Sequence, residues 1–232
     1  TEQLVVAVSS RALFDLEKEH QLFETQGYEA FRDFQVRKKD EPLKPGVAFP
    51  FVKRFLGLNK LFPNQEPFRV VALSRNSPET ARRFFNSCRH YQLPIHAGAF
   101  TSGQSIFPYI SAFKVSLFLS ANAVNVSQAI EAGLPGGLVL PNRMADDSDD
   151  DDPTLRIAFD FDGVLADDES ERCYQKEGLS AFHKNEMEKA ETPHAPGPLR
   201  DLFARLSAFQ RLDYQTRGSK DPYFKPAIRI SI

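Results

Sequence analysis

The chain resembles itself at a spacing of 151 positions, the distance from Ala7 to Ala158. Segment QGYEAF (26–31) matches EGLSAF (177–182), and EPLKPG (41–46) matches TPHAPG (192–197). Identical residues pair positions 7 and 158, 27 and 178, 30 and 181, 31 and 182, 38 and 189, 42 and 193, 45 and 196, and 46 and 197. Chance would give roughly two or three such identities over about forty positions. The spacing therefore predicts two copies of one supersecondary unit.

Each predicted copy alternates strands with helices. It opens with an apolar strand, LVVAVSS (4–10) or LRIAFDF (155–161), and passes through a charged helical stretch and a Pro-Gly turn to a second helix, FVKRFLGL (51–58) or LRDLFARL (199–206). A second strand follows at residues 69–74 and again at 229–232. The first copy continues with a helix from about Ser77, which can cap it, and with strands at residues 95–97, 115–119 and 137–140. This order predicts an α/β fold, with Rossmann-like parallel sheets flanked by helices.

Composition narrows the class of protein. A chain of 232 residues with 41% hydrophobic residues can bury a core, and no stretch approaches the ~20 apolar residues of a membrane span. The start of the chain has no basic-then-apolar signal pattern, and Cys88 and Cys173 lack metal-ligand spacing, so we expect a cytoplasmic protein with reduced thiols. A net charge of −2 gives no support to a nucleic acid polymer as partner.

An acidic run separates the two copies. Residues 146–152 read DDSDDDD, and their mutual repulsion favours a solvated linker. We therefore predict three segments: a first unit at residues 1–145, a linker at 146–153 and a second unit at 154–232.

The most chemically informative stretch is IAFDFDGV (157–164), an apolar strand that ends in Asp160 and Asp162. Residues two apart on a strand share a face, and a turn at Gly163 can instead aim the two side chains separately. Either geometry puts two carboxylates at one site. The structural alternative is an ordinary capped strand-to-helix turn. The following acidic residues, 167–169, are predicted to be anions at a helix start.

The segment DFDGVLADDES resembles the first motif of the haloacid dehalogenase superfamily of phosphohydrolases. The resemblance implies that Asp160 is a nucleophile, that Asp162 is a general acid/base and that both lie at a Mg²⁺ site. Three segments together, AVSSRALFDLE, FKVSLFLSANAVNVSQAIEAG and FDFDGVLADDESER, resemble the cytosolic type I 5'-nucleotidase family. That narrower likeness implies hydrolysis of nucleoside 5'-monophosphates such as AMP.

The first unit has the same layout without the same chemistry. Ser9 and Arg11 occupy the positions of Asp160 and Asp162, so it is predicted to be a degenerate copy. Ser74 at a strand end, Arg75 after it and Lys114 are weak candidates for substrate binding, and the small-residue loop at 97–105 is a weak candidate for phosphate binding.

The later motifs of the superfamily would follow Ile232, so we expect the second unit to be incomplete and residues 1–232 alone to be weakly active or inactive. Two other functions stay open: a phosphatase of the same superfamily that acts on another phosphomonoester, and a nonenzymatic nucleotide-binding or assembly module. An uncovered sheet edge would also allow a homo-oligomer.

Overall fold

The computed structural model describes residues 3–63, 65–141 and 152–232. The chain divides into two compact units, Thr1–Pro153 and Thr154–Ile232. Most of the predicted linker, residues 146–151, lies outside the described residues. Within the described ranges, no helix is long and apolar enough to cross a membrane.

The first unit is built on a parallel sheet. Its strands are β1 (Leu4–Val8), β2 (Phe14–Asp15), β3 (Lys44–Pro45), β4 (Phe68–Ser74), β5 (Gly98–Phe100), β6 (Val115–Ser120) and β7 (Gly136–Leu138). Its helices are α1 (Ser10–Leu13), α2 (Glu17–Arg37), α3 (Phe49–Gly57), α4 (Pro78–His90), α5 (Phe107–Ala112) and α6 (Ala123–Glu131), with a 3₁₀ turn at Leu58–Leu61. Five strands form one sheet in the order β5-β4-β1-β6-β7, and every pair is parallel. The predicted Rossmann-like fold is confirmed.

β1 lies at the centre of this sheet because both of its faces are apolar. Val5 and Ala7 pack with Leu73, Ile106 and Phe118 in a core on one side. Alternate residues point the other way, and they are buried as well. A strand covered on both faces reads as a continuous apolar run, which is why LVVAV predicts it so clearly.

Two local predictions were wrong. The strand predicted at residues 95–97 forms three residues later, as β5, where Ala72 pairs with Gly98. A Cβ on Gly98 would lie 2.6 Å from the Ala72 carbonyl oxygen, so the ladder needs a glycine there, whatever the apolar character of Ile95. α4 begins at Pro78 as predicted, but the Ser77 side chain makes no capping hydrogen bond.

The second unit has a smaller sheet. Strands β8 (Leu155–Ala158) and β9 (Ile228–Ser231) pair in parallel, and helices α7 (Glu169–Glu177), α8 (Leu179–Glu188) and α9 (Arg200–Thr216) follow β8, with a 3₁₀ turn at Gly218–Lys220. Leu202, Leu206 and Phe209 of α9 are buried. Both strands alternate between buried and open positions, so their pleat is covered on one face only.

The two units share unusual backbone details. Gly27 bends α2 with φ +80° and ψ −177°, and Gly178 separates α7 from α8 with φ +81° and ψ −177°. Only glycine adopts this region readily. Phe14 pairs with Pro45 in one unit, and Ala166 forms an antiparallel bridge with Pro196 in the other. The two glycines lie 151 positions apart, as the repeat predicts, whereas the bridge residues Phe14 and Ala166 lie 152 positions apart. The repeat stays a prediction.

Candidate active site

The predicted catalytic turn follows β8. Beyond the end of β8, the Phe159 amide donates a hydrogen bond to the Ser231 carbonyl at 2.9 Å. The Phe159 ring is buried and meets Phe203 of α9 edge-on, with ring centroids 5.6 Å apart. Asp160 therefore follows a residue that both the sheet and α9 hold in place.

Backbone hydrogen bonds close the turn around the two aspartates. The Asp160 backbone is extended, and its Oδ1 accepts a hydrogen bond from the Phe161 amide at 2.8 Å. Gly163 reverses the chain with φ +71°, and its amide donates to the Asp167 carbonyl at 3.2 Å. Both Asp160 and Asp162 are exposed. The sequence therefore places two solvent-accessible carboxylates on one short turn.

This donor set fits a magnesium ion that is shared with a phosphate. Mg²⁺ usually takes one or two carboxylates and completes its shell with water and phosphate oxygens. Among the residues that the structure describes, no group of three or more His, Cys, Asp or Glu side chains could hold a metal. At this turn, the side chains that could contribute carboxylate oxygens to such a site are Asp160 and Asp162.

Phe161, between the aspartates, forms an aromatic contact beside the turn. Its side chain is 43% exposed, and its ring meets His194 edge-on at 5.8 Å between centroids. His194 Nδ1 in turn lies 3.7 Å from Asp167 Oδ1. A bulky residue at this position thus has a neighbour to pack against, and no local sequence pattern predicts that contact.

The acidic residues after the turn pair with cations. α7 begins at Glu169, in agreement with the predicted helix start. Arg172 Nε donates to Asp168 Oδ1 at 2.8 Å, and this bond lowers the pKa of the Asp168 carboxyl. A hydrogen bond from Lys189 lowers the pKa of Glu169. These carboxylates serve the helix start and its ion pairs.

The three weak substrate-binding candidates all lie in the first unit, and the sheet separates one of them from the other two. Ser74 ends β4 and is buried, and its Oγ lies 3.2 Å from Ser10 Oγ. Arg75 follows it and donates to the Gly103 carbonyl at 2.8 Å. Lys114 precedes β6 and so lies at the amino ends of the parallel strands, whereas Ser74 lies at a carboxyl end. Ser74 and Arg75 are brought together, and Lys114 is not.

A cavity of about 650 Å³ lies where Ser74 and Arg75 come together. Its lining includes Ser9, Arg11 and Ser120, which follow or end neighbouring strands, and aromatic residues of α2. In the sequence alone, Ser9 and Arg11 stand out only as replacements for aspartates. Ligands of open α/β sheets bind at the carboxyl ends of strands, and that rule was the available signal.

Comparisons with known proteins identify the family to which this chain belongs. The family model described as 5'-nucleotidase matches residues 1–232. Human cytosolic 5'-nucleotidase 1B is 32% identical over 216 residues, which cover 91% of this chain and 35% of the human protein. The chain therefore spans about a third of the length of that relative. No solved structure matches. The family model covers the whole chain, and the turn that carries Asp160 and Asp162 lies within the matched region, so the chain belongs to the 5'-nucleotidase family.

Proposed function

We propose that this protein hydrolyses nucleoside 5'-monophosphates to nucleoside and phosphate through an aspartyl-phosphate at Asp160. The observation that carries the proposal is the turn after β8, where a buried Phe159 holds two exposed carboxylates two residues apart. Membership of the 5'-nucleotidase family supports the substrate class.

In the first step, an Asp160 carboxylate oxygen attacks phosphorus, and the bond between phosphorus and the 5' oxygen breaks. Asp162 in its protonated form gives its proton to the departing oxygen, so the nucleoside leaves as an alcohol. The covalent intermediate divides one difficult displacement into two easier ones.

In the second step, Asp162 takes a proton from water as that water attacks the aspartyl-phosphate. The P–O bond to Asp160 breaks, phosphate leaves, and both carboxyl groups return to their starting states. Bound Mg²⁺, held by Asp160 and Asp162, would offset the repulsion between an anionic nucleophile and an anionic substrate.

The two units have different parts in this proposal. Residues 154–232 carry the nucleophile, residues 1–145 are a degenerate copy, and residues 146–153 join them. The word cytosolic in the name of the human relative supports a cytoplasmic location.

Phosphate release from AMP by the full-length protein with Mg²⁺ tests the assignment. Asp160→Asn is expected to lower kcat by more than about 10³-fold, because it removes the nucleophile. Asp221→Asn is the matched control. Asp221 Oδ1 accepts a hydrogen bond from the Tyr223 amide, and an asparagine oxygen can accept the same bond. Equal rates for Asp160→Asn and the parent protein would refute the proposal.

Rates on other phosphomonoesters test the substrate class. AMP is expected to have a higher kcat/KM than a sugar phosphate such as ribose 5-phosphate. A reversed order, with activity still lost in Asp160→Asn, would assign the same chemistry to another phosphomonoester. Nucleotide binding without turnover by the full-length protein would favour the nonenzymatic module.

A further inference from the structure

The cavity of the first unit has a polar floor and an aromatic wall. The floor consists of residues that end or follow β1, β4 and β6, and the wall comes from α2. Its volume of about 650 Å³ lies within the range of ordinary small-molecule sites. All of the described residues that line it belong to the first unit.

Backbone amides organise the hydroxyl groups of the floor. Ser9 Oγ accepts hydrogen bonds from the Ala12 amide at 3.2 Å and the Ala121 amide at 3.4 Å. Ser74 Oγ accepts one from the Asn76 amide at 3.2 Å, and Ser120 Oγ accepts one from the Asn122 amide at 3.1 Å. A hydroxyl that accepts from an amide keeps its own hydrogen as a donor. Ser74 Oγ also lies 3.2 Å from Ser10 Oγ, so one hydroxyl of that pair donates to the other and one hydrogen of the pair stays available. The floor therefore holds fixed hydroxyls, Ser9 among them, that can donate to an anion.

The charged side chains among the described residues that line the cavity are guanidinium groups. Arg11 and Arg75 contribute to the lining, His20 adds an imidazole, and no described aspartate or glutamate takes part. Arg11 has a carboxylate partner, Glu17, at 3.4 Å, and His20 Nε2 lies 3.2 Å from Glu24. These glutamates are mostly exposed to solvent, where ion pairs are weak. An anion in the cavity would meet guanidinium groups and hydroxyls without a facing carboxylate.

The wall supplies aromatic surface that is exposed. Phe23 and Tyr28 line the cavity and are 45% and 40% exposed. Phe23 meets the buried Phe31 edge-on at 6.1 Å, and His20 stacks on Phe23 at 6.5 Å between centroids. The Gly27 bend in α2 lets residues from both halves of the helix join this surface. A planar ring placed against the wall would cover exposed aromatic area.

We propose that the cavity of the first unit binds a nucleoside monophosphate and does not hydrolyse it. The phosphate would lie over the hydroxyls of the floor, within reach of Arg11 or Arg75, and the base would lie against Phe23 and Tyr28. Neither inorganic phosphate nor a nucleoside alone would use both parts of the cavity.

The lining also explains why binding would not lead to turnover. Ser9 and Arg11 stand at the repeat positions of the two catalytic aspartates. Without a lining carboxylate, the cavity has neither an aspartyl nucleophile nor an oxygen ligand set of the kind that Mg²⁺ uses. A phosphate held there would be bound by guanidinium groups and by serine hydroxyls that have no lining carboxylate to activate them.

A binding titration tests the proposal in the full-length Asp160→Asn protein, with EDTA to suppress binding that depends on a metal. AMP is expected to bind more than about tenfold more tightly than either adenosine or inorganic phosphate. Arg11→Gln should weaken AMP binding by about tenfold, and Tyr28→Ala by about threefold to tenfold. Arg37→Gln, an exposed arginine at the end of α2, and Tyr109→Ala, an exposed tyrosine outside the cavity, are the matched controls.

Amide hydrogen exchange locates the bound nucleotide. AMP is expected to slow exchange at residues 9–13, 74–76 and 120–125. Protection confined to residues 160–166, or equal AMP affinity in Arg11→Gln, Tyr28→Ala and their controls, would overturn the proposal. These binding results are separable from the catalytic assignment, because the Asp160→Asn background already lacks the proposed nucleophile.

Discussion

β1 and β8 both begin a unit, and they end in different surroundings. β1 pairs with β4 and β6, all five of its residues are buried, and it leads to Ser9 and Arg11 in a cavity. β8 pairs with β9, half of its residues are open, and it leads to the exposed aspartates of the turn.

The two strand ends would act on a phosphate group in different ways, the first by binding it and the second by attacking it. A floor of hydroxyls and guanidinium groups attracts an anion, and none of the described lining residues is a carboxylate that could attack phosphorus or activate a serine hydroxyl to do so. Two carboxylates repel an anion until a cation offsets their charge, but one of them can then serve as the nucleophile. We therefore assign binding to the first strand end and chemistry to the second.

The proposed acid/base residue, Asp162, gives the largest expected effect among the predictions that sharpen this contrast. Asp162→Asn should lower kcat for AMP by about 10²- to 10⁴-fold, because the leaving oxygen and the attacking water lose their proton carrier. With p-nitrophenyl phosphate, whose leaving group needs no proton, a burst of nitrophenolate should precede slow turnover. Stopped-flow absorbance measures the burst, and normal steady-state AMP hydrolysis by Asp162→Asn would contradict the role.

The buried ion pair of the first unit tests how firmly the cavity wall is held. Arg83 Nη1 donates to Glu19 Oε1 at 2.7 Å and to Gln35 Oε1 at 2.8 Å, which ties both halves of α2 to α4. Arg83→Met leaves a buried carboxylate without its partner and should lower the free energy of unfolding by about 3–5 kcal/mol in urea.

Arg32→Met is the control for this pair, because Glu29, a partner of Arg32, is 72% exposed. This substitution should lower the free energy of unfolding by about 0–1 kcal/mol. A second substitution, Glu19→Gln, should recover part of the loss in Arg83→Met. Equal losses for Arg83→Met and Arg32→Met would show that the buried pair does not hold the wall.

Equivalent strand positions test the difference in coverage directly. Val6 in β1 is fully buried, whereas Ile157, its counterpart in β8, is partly open. Val6→Ala should lower the free energy of unfolding by about 2 kcal/mol through lost burial and a cavity. Ile157→Ala removes more atoms and should still cost less. A larger loss for Ile157→Ala in the same urea experiment would contradict the one-sided coverage of β8.

The ion pairs at the start of α7 give the smallest expected effect. The pKa values of Asp168 and Glu169 lie below their ordinary values of 3.8 and 4.5, because Arg172 and Lys189 stabilise the charged forms. A lowered carboxyl pKa stabilises the fold above the ordinary value, and this contribution is lost as pH falls below about 4. Titration by NMR should give a lower midpoint for Asp168 in the parent protein than in Arg172→Gln. The difference between the two midpoints should shrink at high salt. Equal midpoints would contradict the pairing.

The apolar strands could be predicted from the sequence because their burial determines them. Residues 4–8 and 115–119 contain contiguous β-forming side chains, and both form strands of the sheet. The position of β5 was predicted wrongly because apolar Ile95 favours a strand at residues 95–97. The strand forms instead where Gly98 can approach Ala72 closely enough to pair with it. That approach depends on the neighbouring strand, and no local pattern reports it.

The two candidate sites also differ in how far the sequence alone predicts them. Asp160 and Asp162 are separated by a single residue, so one motif was enough to propose them together. The cavity joins Ser9, Tyr28, Ser74 and Ser120 from four separate segments, and only the assembled sheet and the bent α2 bring them to one place.

The most direct test of this division of roles is to locate the phosphoryl group during turnover. The full-length protein is mixed with AMP and Mg²⁺, quenched in acid within milliseconds, digested and analysed by mass spectrometry. We predict a phosphoryl group on the peptide that contains Asp160, absent in Asp160→Asn, and none on the peptide that contains Ser9 and Ser10. A phosphoryl group on the first-unit peptide, or undiminished hydrolysis with no label at Asp160, would contradict the assignment of chemistry to the end of β8.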